Sequence, residues 1–198
     1  MILSSFIACI SAENSDLPYL PKLQKTLLEG ENLQILELGA GCGIVGITLR
    51  TYFPTARLIL TDLVEASSIL DTNIKNIPPN DPLPNPESLM HQVLDWSAPL
   101  PPEIKAVSWD LVIVADCTYN PDVVPDLVST LGRIAEQSEK VEIVVAMKVR
   151  HDSEAVFFDL MAKEGFDVKE KAAIPLPVLE MEDEEIEIYV FKLREYHV

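Results

Sequence analysis

The chain has 198 residues and a mass of 22.0 kDa, a size that suits one domain with a sizeable buried core. Its 32 acidic residues outnumber the 15 lysines and arginines, so the formal net charge is -17. A surface this acidic repels the phosphates of nucleic acids. The composition therefore argues against a nucleic-acid partner and leaves two interpretations open, namely a basic protein partner and a negative charge that serves solubility alone.

Hydropathy and cysteine usage indicate a location inside the cell. Charges interrupt the apolar stretches well before the roughly 20 residues that a membrane span requires, so no membrane attachment is expected. The opening segment MILSSFIACI lacks a basic start, which argues against a secretory signal, and from residue 12 onward the pattern predicts an ordinary surface helix. Cys9, Cys42 and Cys117 are an odd number without metal-ligand spacing. We expect a monomer with free thiols and no metal, in a reducing cytoplasm or nucleus.

Periodicity and helix breakers predict strands and helices that alternate along the chain. Short apolar runs stopped by Gly, Asp or Pro are typical of buried strands, and the longer amphipathic segments between them are typical of helices. In chain order, the predicted elements are strand 33–38, helix 44–52, strand 57–61, helix 64–77, strand 91–94, strand 110–115, helix 125–138, strand 141–147, helix 152–163, strand 167–173 and strand 186–192.

This alternation predicts an α/β fold, a Rossmann-like doubly wound sheet of seven strands with helices on both faces. The last two strands leave no room for a crossover helix, so we expect a mostly parallel sheet with an antiparallel C-terminal hairpin strand. Without a repeat or a second domain in the pattern, residues 1–198 are predicted to form a single domain. Ligands bind such sheets beyond the carboxyl ends of the strands, which places the segments after residues 38, 61, 94, 115 and 147 at one edge.

The segment ILELGAGCGIVG, residues 35–46, carries the strongest functional pattern. A strand leads into three alternating glycines and then into a helix, and such a turn brings backbone amides close to a ligand. We predict that Gly39 and Gly41 contact a cofactor and that Glu37, just before the turn, holds its ammonium group directly or through water. The stretch also matches the G-x-G-x-x-G dinucleotide pattern, which is weak evidence alone.

Acidic and aromatic residues follow the next two predicted strands. Asp62 and its neighbour Leu63 close the second strand, where a carboxylate can bind the ribose hydroxyls of an adenosine cofactor without indicating which one. The structural alternative for Asp62 is to cap the following helix. Asp95 and Trp96 follow the third strand and offer adenine a hydrogen-bond acceptor and a flat apolar wall. The structural alternative for Trp96 is core packing.

The fourth strand ends at Ala115 and continues as Asp-Cys-Thr-Tyr-Asn. Ala115, Asp116 and Tyr119 are expected at the same edge, and a carboxylate that leaves a buried strand requires a partner. The structural alternative is a turn-forming Asp116 with Tyr119 packed nearby. Cys117 is not expected to be a nucleophile, because no base is placed with it.

Together these segments resemble the seven-β-strand (class I) methyltransferases that use S-adenosylmethionine (SAM), and specifically the lysine methyltransferase-like family 16. The resemblance covers residues 33–192 and rests on LELGAGCGIVGI, LTDL, LDW and the D-x-x-Y motif at 116–119. It implies that Asp116 and Tyr119 belong to the site of the methyl-accepting group. The cofactor-binding residues that it implies are Gly39, Gly41, Asp62, Asp95 and Trp96.

The resemblance also implies an activity. SAM would donate a methyl group to a protein lysine and leave S-adenosylhomocysteine, and translation elongation factors and chaperones are recurrent substrates of the family. Two alternatives stay open, namely another acceptor, such as a small molecule or a histidine, and a cofactor-binding interaction module without turnover. An NAD dehydrogenase is disfavoured because the chain shows neither a separate substrate domain nor a Tyr-x-x-x-Lys pair. Family members carry a segment before the first helix, often with a Trp, and we expect that N-terminal segment to be shortened here.

Overall fold

The structure, a computed structural model, describes residues 20–77, 88–148, 153–175 and 185–194. Within these ranges the helices are α1 (Pro21–Glu29), α2 (Ile44–Tyr52), α3 (Ser67–Lys75), α4 (Pro102–Lys105), α5 (Val124–Ala135) and α6 (Ser153–Lys163). The strands are β1 (Gln34–Leu38), β2 (Arg57–Asp62), β3 (Leu89–Val93), β4 (Leu111–Ala115), β5 (Glu142–Lys148), β6 (Phe166–Pro175) and β7 (Glu185–Leu193).

The seven strands form one sheet in the order β3-β2-β1-β4-β5-β7-β6. Strands β1 to β5 pair in parallel, whereas β7 lies antiparallel between β5 and β6. The α/β class, the strand count and the antiparallel pairing of the last two strands are thus confirmed. The strand order reverses between β1 and β4, and a crevice opens at the carboxyl ends of the strands at such a point.

The central strands are buried on both faces because helices cover the sheet from both sides. Successive residues of a strand point to opposite faces, so Ile35 and Leu36 of β1 belong to two different core layers. The layer of Ile35 includes Leu23 of α1, Leu49 of α2 and Leu70 of α3, and the layer of Leu36 includes Ile104 of α4, Leu127 of α5 and Phe157 of α6.

Most predicted elements agree with the structure within one or two residues, and a few regions differ. The helix predicted over 64–77 begins with the 3-10 turn Val64–Ala66, and α3 then ends at Lys75. Helix α4 was not predicted, since four residues are too few to show a helical period. Of the predicted N-terminal helix the structure describes α1, while the segment expected to be shortened lies outside the described residues. Among the described helices, none has the length and apolarity needed to cross a membrane.

Candidate functional site

A cleft of about 390 Å³ lies at the carboxyl ends of β1 to β4. This is the sheet edge at which the topology places a ligand, and the volume falls within the usual range of small-molecule sites, about 300–1,000 Å³. Nine of the ten predicted site residues line it, namely Gly39, Gly41, Asp62, Leu63, Asp95, Trp96, Ala115, Asp116 and Tyr119.

Three glycines in the left-handed conformation, Gly39, Gly41 and Gly43, shape the turn after β1, and the first two line the cleft. Gly39 has a φ of 66° and Gly41 a φ of 57°. A Cβ on Gly39 would lie 2.6 Å from Sγ of Cys117 and 3.2 Å from Cζ2 of Trp96, so the site has no room for a side chain. A Cβ on Gly41 would meet nothing within 4 Å, and Gly41 lines the cleft. Packing therefore requires a glycine at position 39, whereas Gly41 exposes its backbone to the cleft.

Asp62, at the end of β2, holds this turn in place. Its Oδ2 accepts the N–H of Gly41 at 2.7 Å, and its Oδ1 accepts the N–H of Leu63 at 2.7 Å. Each carboxylate oxygen has a second lone pair. The carboxylate thus fixes the glycine turn and has acceptor capacity left for the hydroxyl groups of a ligand.

Glu37 lies beneath the turn and is not among the residues that line the cleft. Its side chain is 3% exposed, and Oε2 accepts the N–H of Gly46 in α2 at 2.8 Å. Burial raises the pKa of this carboxyl to about 8, against the opposing effect of the Gly46 hydrogen bond. The role of Glu37 as a partner of a cofactor ammonium stays a prediction.

The turn after β3 presents Asp95 and Trp96 to the cleft. Ser97 donates its hydroxyl and its N–H to Oδ1 of Asp95, at 2.7 and 2.9 Å, and these bonds hold the pKa of Asp95 below its ordinary value. The half-buried indole of Trp96 packs against the second core layer as well as lining the cleft. The structure is therefore compatible with both interpretations of Trp96, a wall for a ligand and core packing.

Asp116 and Tyr119 line the cleft just beyond the end of β4. Asp116 has a φ of 54°, which is uncommon outside glycine, and its N–H donates to the carbonyl oxygen of Ala146 at 2.8 Å. Backbone strain of this kind clusters at functional sites. Tyr119 is 65% exposed, so its ring is not packed into the core, and the roles of Asp116 and Tyr119 at the acceptor site stay predictions.

Cys117 forms part of the cleft wall, but its thiol is unreactive. Burial raises the pKa of its thiol to about 12, and the charges of Glu37, Asp62 and Asp116 act in the same direction. Its Sγ contacts the carbonyl oxygen of Ala115 at 3.3 Å. Since the thiolate is the reactive form of cysteine, this side chain is no nucleophile at neutral pH.

The sequence did not mark every residue of the cleft wall as a site residue. The six others are Leu94, Ser97, Cys117, Asn120, Val123 and Asp126. Leu94, Ser97, Cys117 and Asn120 closely follow β3 or β4, so the edge rule for parallel sheets was the available signal for them, whereas Val123 and Asp126 lie at the start of α5. With Asp126, four aspartates line the cleft, and among the residues that the structure describes no lysine or arginine does, so the field of these residues attracts cations.

Several known proteins with similar sequences are named protein-lysine methyltransferases. Protein N-lysine methyltransferase METTL21A of Mus musculus is 28% identical over 143 residues, which cover 72% of this chain and 62% of that protein. EEF1A lysine methyltransferase 3 of Xenopus tropicalis is 30% identical over 135 residues, which cover 68% of this chain and 56% of that protein. The matched part thus spans less than two thirds of either relative.

A solved structure with the same fold is that of magnesium protoporphyrin IX methyltransferase from Synechocystis PCC 6803, determined with bound SAM. It superposes with a TM-score of 0.61 at 13% identity and covers 96% of this chain and 78% of its own. At that identity the likeness concerns the fold alone. The model of the lysine methyltransferase family, however, matches residues 3–164, which is most of the chain. The chain therefore belongs to the lysine methyltransferase family.

Proposed function

We propose that this chain binds SAM in the cleft and transfers its methyl group to a lysine of a protein substrate. One observation carries the proposal. The glycine turn, Asp62, the Asp95–Trp96 pair and the 116–119 motif are separated in sequence, yet they line a single cleft. Family membership and the names of the relatives support lysine as the acceptor.

The residues of the cleft fit the chemical groups of SAM. The bare backbone at Gly41 leaves open space that any side chain would fill. Asp62 has lone pairs for the ribose hydroxyls, and Asp95 has an acceptor for the adenine amino group beside the flat indole of Trp96. The acidic wall favours the two cationic groups of SAM, its sulfonium and its ammonium. Glu37 beneath the turn does not line the cleft, so we assign it to the ammonium through water, and the bound cation would favour its ionised form and lower its pKa from about 8.

The chemistry requires an aligned and neutral amine. When bound, SAM supplies a methyl carbon to which the lysine nitrogen bonds while the carbon–sulfur bond breaks, and the electron pair stays on sulfur. A lysine has an ordinary pKa of about 10.4, so its proton must leave before attack. We assign that proton to water, because Asp116 and Tyr119 are both exposed at the cleft.

Asp116 and Tyr119 contribute by positioning the amine. The carboxylate of Asp116 accepts an N–H of the incoming lysine, and the ring of Tyr119 contacts its side chain while it is still a cation. Alignment of two reactants is itself a large source of rate enhancement. The N–H of Asp116 donates to the carbonyl oxygen of Ala146 in β5, and its backbone has the left-handed conformation. Together these features fix the position from which the side chain of Asp116 extends.

A translation factor is the first substrate that we would test. One relative is named for its action on EEF1A, and the excess of 32 acidic over 15 basic residues suits a basic protein partner.

The test is transfer of a radiolabelled methyl group from SAM to purified EEF1A and to fractionated lysate proteins, followed by mass spectrometry of the labelled band. Asp116→Asn is the matched control, because Asn also tolerates a positive φ and the variant should keep its fold. We expect methyl-lysine with the wild-type chain and at least about 100-fold less with the variant. Label on histidine or on a small molecule would contradict the lysine assignment.

A further inference from the structure

Helix α5 holds the turn formed by residues 95–98 from behind. Arg133 donates from Nη2 to the carbonyl oxygen of Trp96 at 2.9 Å and from Nη1 to that of Ala98 at 2.7 Å. Thr130 donates its hydroxyl to the same Trp96 carbonyl at 3.1 Å and accepts a bond from Nη2 of Arg133 at 2.7 Å. Two side chains of one helix therefore fix two carbonyls of one turn.

The fixed turn carries groups that face the cleft. The N–H of Ala98 donates to the carbonyl oxygen of Asp95 at 3.0 Å, which closes the turn on itself. Arg133 and Thr130 are not among the cleft-lining residues, whereas Asp95, Trp96 and Ser97 are. The two α5 side chains therefore act on a ligand indirectly, through the turn or through α5 itself, whose Asp126 lines the cleft.

The position of the turn also sets the spacing between two walls of the cleft. The indole of Trp96 places Cζ2 at 3.2 Å and Cη2 at 3.5 Å from the point that a Cβ of Gly39 would occupy. If the turn loses its support, the indole separates from the glycine turn, and Asp95 moves with it.

We propose that Arg133 and Thr130 are positioning residues for the cofactor, since they hold the 95–98 turn so that Asp95 and Trp96 present the adenine-binding surface. The inference rests on the proposed function. An arginine suits the task because its planar guanidinium offers several donors in a rigid fork, here to two carbonyls at once. A lysine has one flexible ammonium and no such fork.

The test compares Arg133→Met with Arg194→Met. Arg194 is a matched control because its guanidinium also donates to a backbone carbonyl, that of Ala162 at 2.8 Å, but its bonds go to Ala162 and Asp167 and not to the 95–98 turn. Calorimetric titration of the full chain gives the Kd for SAM and for S-adenosylhomocysteine. We expect Arg133→Met to raise both by about tenfold or more, as the loss of charged hydrogen bonds implies, and Arg194→Met to leave them nearly unchanged.

Quenching of tryptophan fluorescence by acrylamide gives a second readout that needs no cofactor. Trp109 is 2% exposed and donates its Nε1–H to the carbonyl oxygen of Ile104, so added quenching reports on Trp96. We expect Arg133→Met to increase quenching and Arg194→Met not to. Combining Arg133→Met with Trp96→Phe should abolish the increase, and a persisting increase would contradict the assignment.

Two milder variants keep the proposal testable if Arg133→Met fails to fold. Thr130→Val keeps the shape of a fully buried side chain but removes one donor to the Trp96 carbonyl, and it should weaken SAM binding several-fold. Arg133→Lys should fall between the wild type and Arg133→Met.

The outcomes distinguish failure of the positioning role from failure of the proposed function. If the wild type binds SAM and Arg133→Met binds it as tightly as Arg194→Met, the positioning role is wrong and the proposed function stands. A lower melting temperature of Arg133→Met without a change in Kd or in quenching also overturns the positioning role. If the wild type binds no SAM, the proposed function fails, and the inference fails with it.

Discussion

Replacing Gly39 with alanine should destabilise the fold, because the space that its Cβ needs is already occupied. The left-handed backbone, with a φ of 66°, costs a residue with a Cβ about 1–2 kcal/mol. Overlap with Sγ of Cys117 at 2.6 Å adds about 1–3 kcal/mol, the usual cost of overpacking. The expected loss in the free energy of unfolding is therefore about 2–5 kcal/mol. Gly41→Ala, with nothing within 4 Å of its Cβ, should lose only the backbone part, about 1–2 kcal/mol.

A double-mutant cycle in urea denaturation measures the steric part directly. Cys117→Ala removes the sulfur that a Cβ on Gly39 would meet, so Gly39→Ala/Cys117→Ala should be less destabilised than the sum of its two parents by about 1–3 kcal/mol. The reasoning is refuted if the two changes add within about 0.5 kcal/mol. Equal destabilisation by Gly39→Ala and Gly41→Ala would refute it as well.

Three further predictions concern single side chains. Glu37 keeps its proton up to a pKa of about 8 in the fold but ionises near 4.5 when unfolded. The free energy of unfolding should therefore fall as pH rises from 4.5 to 8, by at most about 5 kcal/mol. Glu37→Gln should flatten that slope in urea titrations at several pH values. Asp116→Asn should keep SAM affinity and lose at least about 100-fold in methyl transfer, measured as radiolabel incorporated per minute. Trp96→Ala should raise the Kd for SAM by about 5- to 150-fold in calorimetry, the cost of losing an aromatic partner for one base.

Each of these predictions has a result that contradicts it. An equally steep pH slope in Glu37→Gln would show that another group causes it. Equal losses of binding and transfer in Asp116→Asn would place that carboxylate in the cofactor site instead of the acceptor site. Unchanged SAM affinity in Trp96→Ala would assign the indole to core packing alone.

The sequence predicted most residues of the cleft because the sheet topology determines which parts of the chain lie close together. In a parallel sheet the residues that follow each strand meet at one edge, so the glycine turn, Asp62, Asp95 and Asp116 needed no knowledge of individual contacts. The apolar runs of β1 and β4 marked strands buried on both faces, which fixed the α/β class.

Long-range pairings were beyond the sequence pattern. The insertion of β7 between β5 and β6 depends on contacts such as Val144 with Val190, which no local period encodes. The bonds from Arg133 to the carbonyl of Trp96 join residues 37 apart, and backbone carbonyls carry no sequence signal. The burial of Glu37 beneath the turn depends likewise on how α2 packs over β1.

The central claim is that the cleft is a SAM site built on the glycine turn, and a calorimetric titration tests it most directly. SAM, S-adenosylhomocysteine and NAD are each titrated into the wild-type chain and into Gly41→Ala, whose Cβ enters the open space of the cleft. The account predicts one-to-one, micromolar binding of the first two ligands to the wild type, weaker binding of both to the variant, and no binding of NAD. Binding of NAD, equal SAM affinity in both proteins, or no SAM binding by the wild type would contradict it.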